Sequence, residues 1–307
     1  MAGGRVEEKC TGNGENDEGG SKMTYLNSFC EVLKRKLFES ANIANDKVYF
    51  YKVKDINDNF FEPMSEKVEQ QYKSADGHEI ESGKMNHIRS SSAMIYNLLG
   101  NSGVEIKENT LLPAGVYEKR FEQQISTLES SSRAANLDAW LCNDKAEIFI
   151  EAKCLEWIEN GTDVRLKDKY FKSENYFYKR TADVFIKTGR LISCSQYDSC
   201  QMFKHTLAIY NDLLERVVTN KKIYLVNVVW ELPEYEKLNS NFLKRYRLQE
   251  ELEHLEFEYF RDNMKDIISL IAEETKCVFE IKYLTVKEFC DLINYHKYQK
   301  NYLNRYI

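Results

Sequence analysis

The run KKIYLVNVVWEL, residues 221–232, constrains the fold of this chain more than any other stretch. From Ile223 to Trp230 it is apolar except at Asn227, with none of the alternation that a half-wetted strand shows. A strand of this kind is covered on both faces, so it sits inside a sheet with further layers above and below it. Suitable cover lies on either side in sequence. SCQMFKHTLAIYNDLLERVVTN spaces Met202, Leu207, Ile209, Leu213, Leu214 and Val217 as one face of a helix. NFLKRYRLQEELEHLEFEYFRDNMKDIISLIAEE reads as one long helix, and CVFEIKYL as a last short strand. Thr285 and Glu288 then form a capping box that starts the final helix.

Upstream, VYEKRFEQQI alternates Val116, Glu118 and Arg120 with Tyr117, Lys119 and Phe121, which predicts a strand with one wet face. NLDAWLCNDKAEIFIEAKC, residues 136–154, reads as two strands joined by a tight turn at Asn143 and Asp144. A short helix is expected from Ser90 or Ser91 to Gly100, with serine at its start and glycine past its end. Another runs from Met23 to about Ile43 through Leu26, Phe29, Leu33 and Leu37. Residues 1–22 are glycine-rich with almost nothing apolar and read as a disordered tail. The expected organisation is that tail, an N-terminal helical extension over 23–73, and a single domain over 74–307. Its class is α/β: a central mixed β-sheet flanked by helices, with added helices at both ends.

No window of the 307 residues approaches the roughly 18 uncharged apolar residues of a membrane span, and no leader-like apolar run opens the chain. A cytoplasmic protein with no membrane partner is the expectation. The eight cysteines include no C-x-x-C pair, and no histidine separates Cys194 from Cys200, so they read as free thiols of a reducing compartment. Net charge is −6, but it is unevenly spread. Residues 160–190 carry eight cations against four acids, interleaved with Tyr170, Phe171, Tyr176, Phe177 and Tyr178. Such a stretch suits either phosphate contact with base stacking or a partly buried connector. Residues 231–262 are acidic instead.

The 136–154 hairpin holds the chemistry. Side chains alternate along a strand, so Glu151, Lys153 and Phe149 share one face while Ile148, Ile150 and Ala152 take the other. Pairing across a short hairpin can bring Asp138 beside Glu151. Two adjacent carboxylates repel unless a cation or a proton lies between them. Two carboxylates completed by water and phosphate oxygens suit Mg²⁺, and a lysine two residues on can orient an attacking water and screen charge on a pentacovalent phosphate. The pattern D-x12-E-x-K points to phosphodiester hydrolysis, although E-x-K in a strand is common without it.

The combination resembles the PD-(D/E)XK nuclease superfamily, with NLDAWL supplying the Asp and IFIEAKCLEW the E-x-K. GHEIES followed by SSSAMIYNLLG resembles the Glu-bearing segment and first core helix of a bacterial restriction-endonuclease-like family within it. DSCQMFKHTLAIYN resembles a Q-x-x-x-H/Y helix, and IYLVNVVWELPE the strand that follows. The likeness runs from about residue 74 to about residue 292. It implies a restriction-endonuclease-like core, Mg²⁺ (with Mn²⁺ as a substitute) as cofactor, and DNA as substrate. Carried over, Asp138 and Glu151 are metal ligands, Lys153 is the catalytic lysine, and Gln201 lies at the site. Glu79 matches an extra metal-ligating carboxylate, with Glu118 as its rival. No proline precedes Asp138, and His205 stands where the Q-x-x-x-Y form has tyrosine. The expected function is a restriction- or defence-type DNA endonuclease; the alternative is a non-catalytic nucleic-acid-binding module on the same fold. Symmetry alone admits a homodimer.

Overall fold

A computed structural model describes residues 24–41, 43–75, 78–131, 133–159, 165–234 and 236–307. The stretch read as a disordered tail, 1–22, lies outside the described residues. In chain order the first elements are α1 (Tyr25–Ala41), β1 (Val48–Tyr49), β2 (Lys52–Val53), α2 (Glu66–Ser74) and α3 (Ser91–Leu99). Then come β3 (Val104–Ile106), β4 (Gly115–Ile125), β5 (Ala135–Cys142), β6 (Ala146–Lys153), α4 (Glu156–Glu159), α5 (Ala182–Gly189) and α6 (Ser199–Glu215). The chain continues through β7 (Lys222–Val229), α7 (Ser240–Asn263), α8 (Lys265–Thr275), β8 (Val278–Thr285), α9 (Val286–Leu292) and α10 (Lys297–Leu303).

Strands β3 to β8 form one sheet in sequence order. Neighbours are antiparallel as far as β6, and β6–β7 and β7–β8 are parallel, so the sheet is mixed as expected. β7, the apolar run, is buried at every position after Lys222 because both faces are covered. On one face Ile148, Ile150, Val226 and Val228 pack with Phe29 and Leu33 of α1 and Ile95 and Leu98 of α3. On the other, Phe149, Ile223 and Leu225 pack with Phe185 of α5, Phe203 and Leu207 of α6 and Ile267 of α8. Each such side chain contributes about 1.5–3 kcal/mol by leaving water. Residues 29–72 therefore share a core with the sheet, and they include the β1–β2 hairpin as well as helices.

The local signals act as expected at several ends. Ser90 caps α3 by accepting from Ala93 N at 3.1 Å, and Gly100 ends it at φ 63°. The Thr285–Glu288 capping box starts α9. The stretch read as one long helix is two, α7 and α8, broken at Met264, whose side chain is fully buried beneath the break. Cys142, Cys154, Cys194, Cys277 and Cys290 are free thiols. At the far end of the chain, Arg305 is fully buried and donates to Asn59 O, Asn59 Oδ1, Ile88 O and Tyr302 Oη at 2.8–3.2 Å. Asn59 in turn donates to Met85 O and His87 O, so one buried cation organises the segment that leads into α3.

Candidate active site

β5 alternates buried and half-buried residues, which places Asn136, Asp138 and Trp140 on one face. In the β4–β5 register, Phe121 pairs with Ala139 and Gln123 with Leu137, so Glu122 lies opposite Asp138 between them. β5 and β6 pair from Cys142 to Ala139, and one step further sets Asp138 level with Glu151. Across β6–β7, Glu151 is level with Asn227. Three carboxyl groups thus stand in a row on three adjacent strands.

The row forms where the ladder opens. The backbone at Glu122 has φ 52°, and Ala152 N donates to Asp138 Oδ2 at 2.6 Å. Asn136 donates its amide to Glu122. Glu151 is buried, with Oε1 2.8 Å from Lys153 Nζ and Oε2 accepting from His205 Nε2 at 3.0 Å. Lys153 Nζ also donates to Gln201 Oε1 at 2.5 Å.

α6 supplies those last two partners because its start is held. Asp198 is its N-cap, accepting from Gln201 N at 3.0 Å, and places Gln201 in the first turn over Lys153. His205, four residues on, lies one turn further along the same face, over Glu151. The loop before the cap is pinned from α7: Glu256 accepts from the backbone N–H of Ser195, Gln196 and Tyr197 and from Ser195 Oγ at 2.7–3.0 Å. Burial works to raise the Glu256 pKa, but these donors hold it below the usual value.

Electrostatics sort the carboxyl groups. Burial pushes Asp138 well above the usual carboxylate range, and the neighbouring charges of Glu151 and Glu122 push it further. Glu122 is raised to about 7 by burial, against the Asn136 amide, with Glu79 and Glu151 adding repulsion. Glu151 is the exception: burial would raise it, but Lys153 and His205 bring it down to about 2. Lys153 is held above its ordinary value, because Glu151 and Asp198 outweigh its burial. The row therefore contains one secured negative charge and two carboxyl groups held towards their neutral form. Among the described residues, no three His, Cys, Asp or Glu side chains close around a single point.

Of the residues singled out in sequence, Asp138, Glu151, Lys153 and Gln201 are together. His205, left without a role, bonds Glu151. Glu79 stands at the edge of the row, ion-paired with Lys84 at 2.9 Å and acting on Glu122 through space. Glu118 is exposed and lies level with Cys142 at the other end of the hairpin, away from the row. The carboxylate that sequence reasoning missed is Glu122. It shares the even-numbered face of β4 with Glu118, and that periodicity was the available signal.

Beside Gln201 and His205 opens a hollow of about 370 Å³ whose walls include Arg133, Arg165, Lys167, Lys169 and Lys204. Burial lowers the pKa of Lys169, and the charges of Lys167, Lys204 and Arg133 add to the effect. The basic-aromatic stretch thus divides its labour. Arg165, Lys167 and Lys169 line the hollow, while Tyr170 and Tyr176 are buried in the core and Phe177 is exposed.

No helix among the described residues is long and apolar enough to cross a membrane. No curated protein and no solved structure matches the chain. A family model described as restriction endonuclease associating with ARP matches residues 26–307. With that match covering most of its length, and with the mixed, helix-flanked sheet in place, the chain belongs to this restriction endonuclease family.

Proposed function

We propose that this chain is a Mg²⁺-dependent deoxyribonuclease of the PD-(D/E)XK kind, cutting DNA phosphodiester bonds internally in a restriction or defence role. The observation that carries the reading is Asp138 and Glu151 side by side, with Lys153 bridging Glu151 to Gln201. The family's name points the same way.

Asp138 and Glu151 are the residues that would hold the metal, with Glu122 as the third carboxylate within reach of its field. Such hard oxygen donors fit Mg²⁺, with Mn²⁺ as a substitute, and Mg²⁺ commonly keeps water and phosphate in its remaining positions. The self-repelling row is the sign of fit: Asp138 is forced towards its neutral form by burial and by the charges of Glu151 and Glu122, which a divalent ion would compensate. When bound, the ion supplies Lewis acidity and a more acidic water.

The chain's own groups do the rest. Lys153 Nζ, fixed between Glu151 and Gln201, presents an ammonium to the attacking water and to charge growing on the phosphate. Gln201 fixes where that ammonium points. His205 fixes the carboxylate of Glu151 from behind. The cationic hollow next to Gln201 receives phosphates flanking the scissile one, which suits a polyanionic strand. A homodimer, placing one site on each strand of a duplex, belongs to this reading.

The test is a cleavage panel on supercoiled, linear and single-stranded DNA. Cutting should require Mg²⁺, stop with EDTA, and vanish in Asp138→Ala and Lys153→Ala. Undiminished cutting in either variant overturns the site. DNA binding with no cleavage in Mg²⁺ or Mn²⁺ on every substrate would instead make the chain a non-catalytic binding module.

A further inference from the structure

The β1–β2 hairpin is as tight as a hairpin can be. Val48 pairs with Val53 and Tyr49 with Lys52, leaving Phe50 and Tyr51 as the turn. Phe50 is the first of the two and has φ 51°. That position favours glycine, since a side chain there crowds its own backbone. A phenylalanine in it is strained, and packing within the chain does little to offset the strain. Phe50 is 71% exposed and Tyr49 is 69% exposed, and their rings touch each other edge to face, 4.6 Å between centroids.

The tip is nonetheless held firmly. Ile88 N donates to Tyr51 O at 3.0 Å, Asn86 Nδ2 donates to Val53 O at 3.2 Å, and Lys52 bridges to His87. Segment 86–88 is itself fixed by Asn59 and the buried Arg305. Two large apolar rings are thus presented to solvent on a rigid mount.

Two cations, Lys52 and Arg89, stand beside the rings on the side that faces Glu79. A hollow of about 300 Å³ under the tip is walled by Tyr49, Phe50, Lys52, His87 and Arg89, and no acidic residue lines it. His87 and Arg89 also wall the next hollow, about 250 Å³, together with Glu79 and Glu156. Glu79 is the carboxylate whose charge acts on Glu122. Arg89 thus walls both hollows, with Glu79 in one and Lys52 and the two rings in the other.

We propose that the tip is a single-strand-binding element of the nuclease, with Phe50 and Tyr49 stacking on unpaired bases while Lys52 and Arg89 contact the adjoining phosphates. Aromatic side chains on a basic surface bind single strands in this way, with little regard to sequence. The inference rests on the nuclease reading for its ligand. A lipid surface would also accept exposed aromatics beside cations, but the Arg89 wall shared with the Glu79 hollow favours nucleic acid.

The test uses the full chain carrying Lys153→Ala, so that cleavage does not interfere, and compares it with the same chain carrying Phe50→Gly. Binding is measured by anisotropy on labelled single-stranded and duplex oligonucleotides, and melting temperature alongside. Glycine relieves the turn, so the melting temperature should rise by a few degrees while single-strand affinity falls about tenfold and duplex affinity changes less. A stabilised variant that binds single strands as tightly as its parent overturns the tip as a binding element and leaves the nuclease reading standing. A fall in melting temperature together with lost binding makes Phe50 structural and overturns it too. Loss of binding to phosphatidylserine vesicles with nucleic-acid binding unchanged would make the tip a membrane contact. Absence of any nucleic-acid binding in the parent removes both readings.

Discussion

The amide oxygen of Gln201 accepts from Lys153 Nζ at 2.5 Å, which joins the first turn of α6 to the end of β6. Without it, Glu151 alone would orient the ammonium. Gln201→Ala should lower kcat by about 10–100-fold with little change in KM, the scale seen when a supporting hydrogen bond to a catalytic group is lost. Single-turnover kinetics at saturating DNA would check this. A raised KM with unchanged kcat would mean that Gln201 binds DNA and does not position Lys153.

His205 Nε2 supports the other oxygen of Glu151 in a fully packed setting. His205→Ala leaves a buried carboxylate with one partner fewer and should cost about 1–3 kcal/mol of stability in urea denaturation. No loss would mean that water takes over the bond.

Glu122 should make metal and pH dependence visible without any cleavage assay. Its folded pKa, about 7, lies above the unfolded value of about 4.3, so the folded state holds the extra proton. Metal-free stability therefore falls as pH climbs from about 4.3 to about 7 and is level above, a change on the order of 1–3 kcal/mol. Mg²⁺ opposes the repulsion that appears on deprotonation, so it should raise the melting temperature more at pH 8 than at pH 5.5. Glu122→Gln should flatten the metal-free profile over that window.

Glu253 of α7 is a buried carboxyl outside the row, 2% exposed, with Oε2 unpartnered within the protein. Burial raises it to about 8, and Glu256 adds to the shift. The sign is the same: stability falls from about pH 4.3 to about pH 8 as the proton leaves. Glu253→Gln should be nearly neutral at pH 5 and stabilising at pH 9, on the order of 2–4 kcal/mol, in paired denaturation curves. Equal effects at both values would show that the buried carboxyl is not protonated in the fold.

How much of this was legible depended on whether a signal was local. Asp138, Glu151 and Lys153 could be read because charge inside apolar strands is conspicuous, and period two assigns each to a face. Gln201 became readable through the helix pattern and the resemblance. Glu122 did not stand out, because in VYEKRFEQQI it looks like one more member of a wet face that begins with Val116 and Glu118. What covers one end of that face and not the other is decided by distant contacts, among them the Asn136 amide. The break at Met264 has the same origin. Nothing in the local pattern interrupts the helix there, but the core takes in Met264 from below.

The buried guanidinium of Arg305 has a consequence in time. Glu122, Asp138, Glu151 and Lys153 span some thirty residues of adjacent antiparallel strands, and such short-range pairings close early in folding. The contacts from Arg305 to Asn59 and Ile88 join residues more than two hundred positions apart and must await nearly all of these residues. The strand pairings that set the carboxylate row therefore need far less of the chain than the rim that carries the aromatic tip. A chain stalled late in synthesis would carry the paired carboxyl groups on a sheet whose rim was not yet fixed.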